Sequence, residues 1–312
     1  MCDSIKVGLV GVGVIAATHL EVLAKRSDID LEFTVDSQRG EPAVFRGDKR
    51  PHFSTIDRAL AAHQPDLIVI ATPTDTHAEI AAQALRLSRA RVLVEKPLAH
   101  NRESLARLLS LNASTNASVR MFIAHHFAFS PEVSWAVEKL SEHPEWGPVT
   151  DFTSAFYDPY VLLGKHAFDS YISSWMDSGV NQLSVLSRFI DLSTLTPRQQ
   201  IDEGASSWFT YEHHSGATVG TVRLRTSWLT GDSSKKTALW CGHSGVEIWI
   251  DHTSMSGFAT QGDELLAYFG TDGRTDRKTA HYVPLWESLL SSRPDPVIGF
   301  DVAIAITELH QA

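Results

Sequence analysis

Hydrophobic and polar positions divide the chain into two parts with different periods. Up to about residue 125, short apolar β-branched runs alternate with segments whose apolar residues recur at helical spacing, the alternation that parallel βαβ units produce. Ile5–Val10 reads as a buried strand, Val14–Lys25 as a helix and Leu31–Val35 as the second strand. Leu67–Ala71 (LIVIA) is another buried strand, followed by a helix over Thr76–Arg86. Arg91–Glu95 is a strand, Ser104–Leu111 a helix and Arg120–Ala124 the last strand of this sheet. Right-handed crossovers fold such a series into an open doubly wound sheet. After Ser130-Pro131 the period changes. A linking helix over Glu132–Leu140 and a Gly147-Pro148 turn lead to strands at Val149–Phe156, Ser206–Tyr211, Ala217–Trp228, Lys236–Cys241 and Val246–Asp251. Several of these alternate apolar and polar residues, as an antiparallel sheet with one covered face does. One helix interrupts them at Ser178–Phe189, and two more close the chain near 284–291 and 300–310. The pattern predicts an α/β Rossmann domain over 1–125. An α+β domain with a large, mostly antiparallel, open-faced sheet follows over 126–312, its final helix free to pack back on the first domain.

Composition narrows the class. At 312 residues the chain is long enough for two cores. A net charge of -10 without any block of Lys or Arg argues against a nucleic-acid or anionic-membrane partner. No apolar window is long enough to cross a bilayer, and Met1-Cys2-Asp3-Ser4 lacks the basic start of a signal peptide. Two cysteines, Cys2 and Cys241, make neither a disulfide framework nor a zinc site alone. Among the 15 histidines, the adjacent His213 and His214 would face opposite ways in a strand, and no metal-ligand spacing occurs. The expectation is a cytoplasmic enzyme without a catalytic metal, acting on a small molecule. A sheet covered on one face leaves an apolar face to bury, so a homodimer or homotetramer through the C-terminal sheet is expected.

Chemistry enters at Gly11-Val12-Gly13-Val14-Ile15-Ala16, between the first strand and the first helix. Such a turn lets backbone approach a pyrophosphate, while the helix N-terminus offers free N–H groups and partial positive charge. Ala16 permits close helix–strand packing, and Asp36, twenty residues on at the end of the second strand, would accept the adenosine ribose hydroxyls. Asp36 predicts NAD, because a carboxylate repels the 2′-phosphate of NADP. Ser37 and Arg39 keep NADP open as the second cofactor.

Further along stand Ala71-Thr72-Pro73 with His77, then Val94-Glu95-Lys96-Pro97-Leu98-Ala99. In this order, and with the change to a β-rich second half, the chain resembles the glucose–fructose oxidoreductase/inositol dehydrogenase (Gfo/Idh/MocA) family. The resemblance implies that Thr72, Pro73, His77, Glu95 and Lys96 contribute to the dinucleotide site. Physical logic supports Lys96 independently, since ligands of open α/β sheets bind at the carboxyl ends of strands. A lysine there can hold an alcohol oxygen and relay its proton, and a cis bond at Pro97 would fix where the ammonium points.

The second half carries Trp175-Met176-Asp177-Ser178-Gly179-Val180-Asn181, with Asp177 and Asn181 on one helical face and Gly179 clearing room between them. The family pattern D-x-G-x-H has Asn181 here in place of histidine, and an amide takes no proton at neutral pH. That variant resembles the bacterial aldose 1-dehydrogenases for L-arabinose and D-galactose. It implies Lys96, Asp177 and Asn181 as the catalytic set and His126 as a sugar contact. Trp175 would offer a ring face to a sugar, and His166, Asp169 and Tyr171 are weaker substrate candidates. The expected reaction is oxidation of the anomeric hydroxyl of an aldose to a lactone. The alternatives are oxidation of a ring secondary alcohol of a cyclitol or modified sugar, and a non-catalytic dinucleotide-binding regulator.

Overall fold

In a computed structural model of the chain, residues 4–38, 40, 43–164, 172–215 and 218–311 are described. They divide into two compact units, residues 1–125 with 282–312, and residues 126–281. Arg39, His166, Asp169 and Tyr171 lie outside the described residues.

In the first unit, β1 (Ile5–Val10), α1 (Val14–Ala24) and β2 (Ile29–Val35) lead to a short hairpin, β3 (Val44–Phe45) and β4 (Asp48–Lys49). Then come β5 (His52–Phe53), α2 (Ile56–Ala62), β6 (Leu67–Ile70), α3 (His77–Leu87), β7 (Arg91–Val94), α4 (Arg102–Thr115), α5 (Ala117–Arg120) and β8 (Met121–Ile123). The sheet order is β5-β2-β1-β6-β7-β8, with every pairing parallel. This is the doubly wound order, reversing between β1 and β6. Val7, Leu9, Ile68, Val69, Val92 and Leu93 are fully buried, so strands covered on both faces show as unbroken apolar runs. The hairpin, β5 and α2 lie beyond the elements expected from sequence, because such short pieces carry too few residues for a period to register. The tail belongs to this unit: Phe300 and Ala303 of the last helix (Phe300–His310) join the core formed by Ile70, Val94 and Ile123.

The second unit contains α6 (Pro131–Glu142), β9 (Asp151–Tyr157), α7 (Ser174–Leu186), β10 (Leu195–Asp202), β11 (Ser206–Ser215), β12 (Thr218–Ser227), β13 (Ser234–Cys241), β14 (Val246–Asp251), β15 (Ser256–Gln261) and β16 (Glu264–Gly270). Its eight-stranded sheet runs β10-β11-β12-β9-β13-β14-β15-β16, antiparallel except for the β12–β9 pair. Register places Phe209, Leu224, Ser154, Thr237, Ile250 and Gly257 side by side on one face. Both helices cover that face: Trp175 of α7 stacks on Phe209 at 3.8 Å, and Trp135 of α6 stacks on Phe269 at 6.0 Å. On the other face, Trp249, Phe258 and Tyr268 lie in register and stay exposed. The helix α8 (Arg277–Leu290) contains the boundary between the units, and α9 (Phe300–His310) closes the chain.

Candidate active site

The carboxyl ends of β1, β2, β6 and β7 bring the expected dinucleotide residues to one edge of the first sheet. Gly11 turns the chain at φ +88°, and a Cβ there would meet the Ala71 carbonyl oxygen at 2.6 Å. A glycine is therefore required for the turn to pass β6. Gly13 starts α1 with no side-chain cap, no acidic residue occupies the first turn, and a Cβ on Gly13 would meet open space. Val14 is exposed and Ile15 half-buried. The first-turn N–H groups of a helix have no intrahelical partner, and without a local carboxylate their field favours an anion. Asp36 is held twice, accepting from the Val12 amide at 3.0 Å and the Gln38 amide at 2.8 Å. Ser37 beside it is exposed. These features fit a dinucleotide: an uncapped helix start for the pyrophosphate and an oriented carboxylate for a ribose.

The ATP and EKP turns are tied together by His77. Its ring is buried, with Nδ1 2.8 Å from the Pro97 carbonyl and Nε2 2.9 Å from the Thr72 carbonyl. Burial pushes the His77 pKa down against the pull of both carbonyls, and a neutral ring donates to only one of them. Thr72 Oγ1 accepts from Thr76 at 2.7 Å, and Thr76 also reaches the carbonyl of Pro73, which is exposed. His77 thus braces the loop, its ring set between two backbone carbonyls. The Lys96–Pro97 peptide is cis, and Lys96 itself is half-buried.

Glu95 is 5% exposed. Its Oε1 accepts from His19 Nε2 at 2.9 Å and Tyr282 Oη at 2.7 Å, and its Oε2 accepts from the Lys96 amide at 3.2 Å. Trp286 Nε1 donates to His19 Nδ1 at 3.1 Å. Burial alone would raise the Glu95 pKa, but the His19 and Tyr282 hydrogen bonds and the Lys96 charge outweigh it and hold the carboxyl below its usual range. Sequence reasoning missed His19, Tyr282 and Trp286, since nothing local marks residues that meet only across the fold. His125 is buried and bonded to the Val297 carbonyl at 2.7 Å, with burial pushing its pKa down to about 4.

In the second unit, α7 begins at Ser174 rather than 178, capped by Ser173, whose Oγ accepts from the Met176 amide at 3.3 Å. Asp177 and Asn181 are both buried, and Asn181 Nδ2 lies 3.5 Å from the Asp177 carbonyl. Two expectations change here. Trp175 packs into the core against Phe209, so it has no open ring face for a sugar. Gly179 makes room for Trp175 rather than for a ligand, because a Cβ there would sit 2.4 Å from the indole.

Sequence reasoning also missed Lys235, Asp158, Arg277 and His281. Lys235 is buried, its Nζ donating to Asp158 at 2.5 Å and to Ser233 at 3.3 Å, and it senses the charges of Asp177 and Arg277. Burial lowers the Lys235 pKa, with Asp158 opposing. His126 Nδ1 is 3.2 Å from His281 Nδ1, and the Arg277 guanidinium lies over Phe127 at 5.8 Å. Burial drives the His281 pKa well below its ordinary value. Among the described residues no cluster suited to a metal ion occurs, and no helix is long and apolar enough to cross a membrane.

Comparison with known proteins agrees with this geometry. Residues 5–123 match the GFO_IDH_MocA model, described as an oxidoreductase family with an NAD-binding Rossmann fold. Inositol 2-dehydrogenase of Rhizobium meliloti (strain 1021) is 28% identical over 156 residues, covering 50% of this chain and 46% of that protein. Inositol 2-dehydrogenase of Corynebacterium glutamicum (strain R) is 27% identical over 189 residues, covering 60% and 54%. The chain thus aligns with about half the length of these curated relatives. The crystal structure of GenD2 from gentamicin A biosynthesis, in complex with NAD, shares the fold at TM-score 0.73 and 19% identity, over 100% of this chain and 93% of that one. Over residues 5–123, its NAD-binding Rossmann domain, the chain is thus similar to the Gfo/Idh/MocA oxidoreductase family.

Proposed function

We propose that the protein is an NAD-dependent dehydrogenase that oxidises the anomeric hydroxyl of an aldose to a lactone. NAD supplies the hydride acceptor, with Gly11, Gly13, Val14 and Ile15 at its pyrophosphate, Asp36 and Ser37 at its ribose, and Thr72, Pro73 and Lys96 toward the nicotinamide. Lys96 holds the substrate hydroxyl and takes its proton. Asp177 shares with Lys96 in removing that proton, while Asn181 hydrogen-bonds the same oxygen as it becomes the lactone carbonyl. His126 contacts a further hydroxyl. The observation that carries the reading is the Asp177/Asn181 pair, buried one turn apart on α7. An anomeric hydroxyl is more acidic than an ordinary alcohol because the ring oxygen withdraws electron density. It can therefore lose its proton without the third titrating group that Asn181 does not provide.

A second reading, oxidation of a ring secondary alcohol of a cyclitol, is favoured by the inositol 2-dehydrogenases among the relatives. A free reducing aldose, its 1-O-methyl glycoside and inositol, each supplied with NAD, separate the two through absorbance of the reduced nicotinamide. The anomeric reading expects turnover of the free aldose alone. Robust turnover of the glycoside or of inositol replaces it with the ring-alcohol reading. As a further part of this proposal, the exposed aromatic row of the second sheet pairs with a second copy of the chain.

A further inference from the structure

We infer that Glu95 is the fixed counter-charge and positioning residue of Lys96, held by His19 and Tyr282, rather than a contact of the dinucleotide. The inference deepens the reading of Lys96 as the proton-handling group and rests on that reading for its purpose, while its geometry stands on the first unit alone.

Donors and acceptors fix the direction of every bond in the cluster. Trp286 Nε1 can only donate, so His19 Nδ1, 3.1 Å away, is an acceptor. The proton of a neutral His19 ring then sits on Nε2, aimed at Glu95 Oε1 at 2.9 Å. Tyr282 Oη donates to the same oxygen at 2.7 Å. The remaining oxygen takes the amide of Lys96 at 3.2 Å. Three donors converge on one carboxylate whose residue is 5% exposed, and each of His19, Tyr282 and Trp286 is buried. A carboxyl in such a place keeps its charge only because these donors replace water.

The arrangement has two effects on Lys96. Its own N–H is pinned by Glu95, while the next carbonyl, that of Pro97, lies 2.8 Å from His77 Nδ1. The turn is therefore gripped on both sides of the lysine by side chains from α1, α3 and α8. The second effect is electrostatic. The charges of Glu95 and Lys96 interact, and that interaction is mutual, so the buried carboxylate favours the ammonium form of the lysine. A carboxylate already engaged on both oxygens and shut away from solvent is poorly placed to bind a ribose. Its chemistry suits a permanent negative charge behind the reacting amine.

Competitive labelling of Lys96 with acetic anhydride across a pH series, read by mass spectrometry, tests this without any turnover. Its outcome is separate from whether an aldose proves to be the substrate. In the full-length chain, Glu95→Gln should shift the labelling profile of Lys96 to lower pH by about one unit or more. NADH affinity, from fluorescence titration, should stay within about threefold. An unchanged labelling profile overturns the inference, as does a tenfold or greater loss of NADH affinity with that profile unmoved. Should Glu95→Gln fail to fold, Tyr282→Phe decides, since it keeps the ring and removes one donor. With less to offset the carboxylate field, Lys96 should label at higher pH and NADH binding should hold. A Tyr282→Phe profile identical to that of the unmodified protein overturns it equally.

Discussion

Asp36 shows how a single side chain is prepared for its ligand. Both of its oxygens already accept backbone amides, from Val12 in the glycine turn and from Gln38 just beyond it. The carboxylate is thus oriented from the same turn that would cradle the pyrophosphate, and the entropy of orienting it is spent in folding rather than in binding. Brought close to a phosphate it would cost about 1 to 4 kcal/mol at a few Å, depending on local screening. Asp36→Ser should therefore narrow the preference for NAD over NADP in kcat/KM by about tenfold or more. Equal use of the two cofactors by the unmodified enzyme would transfer control of that pocket to Arg39. His77 makes the complementary point. It stands in a motif associated with the cofactor, yet both ring nitrogens face carbonyls of the protein, so its contribution is to join two turns.

At the scale of elements, legibility followed burial. β1, β6 and β7 are enclosed on both faces and read directly as apolar runs. β9 and β14 alternate buried and less buried positions, and they read as half-covered strands. β10 and β16 escaped notice because they are the edges of the second sheet. Most β10 positions are exposed on either side, and it contains Pro197, so neither period nor composition marks it. The glycine turn, Asp36 and the EKP turn were legible because they sit at fixed offsets from strong strands. His19, Tyr282 and Trp286 were not, since His19 and Tyr282 meet Glu95 across 76 and 187 residues and Trp286 reaches it only through the His19 ring. In α7 the sequence located Asp177 and Asn181 but misread Gly179, whose reason is the neighbouring indole of Trp175. Gln182 on the same helix extends a buried polar path: it donates to Ser154 at 3.2 Å, which meets Thr237, then His252 and finally Glu132 of α6. That path crosses the covered face and ties together the two helices lying on it, although Gln182 Oε1 and Glu132 Oε2 at its two ends stay buried without a hydrogen-bond partner among the described residues.

For the whole molecule, the uncovered face of the second sheet leaves a row of apolar side chains exposed. Trp249, Phe258 and Tyr268, in register across three strands, are 38%, 44% and 79% exposed, and a monomer rarely keeps such a contiguous row in water. Light scattering should give a mass of at least two chains, and Phe258→Lys should shift it toward one chain with the circular dichroism unchanged. A monomeric unmodified protein, or a variant that still assembles, would leave that face without the proposed partner. The central claim is more exacting: the protein transfers hydride from a sugar carbon to NAD, with Lys96 handling the proton. The measurement that meets it most directly is Lys96→Met, assayed on the best aldose and titrated with NADH. Loss of a positioned acid–base group should lower kcat by about two to four orders of magnitude, while NADH binding, which the proposal places at Gly11, Gly13 and Asp36, should stay near that of the unmodified protein. Near-normal turnover by Lys96→Met would contradict the account.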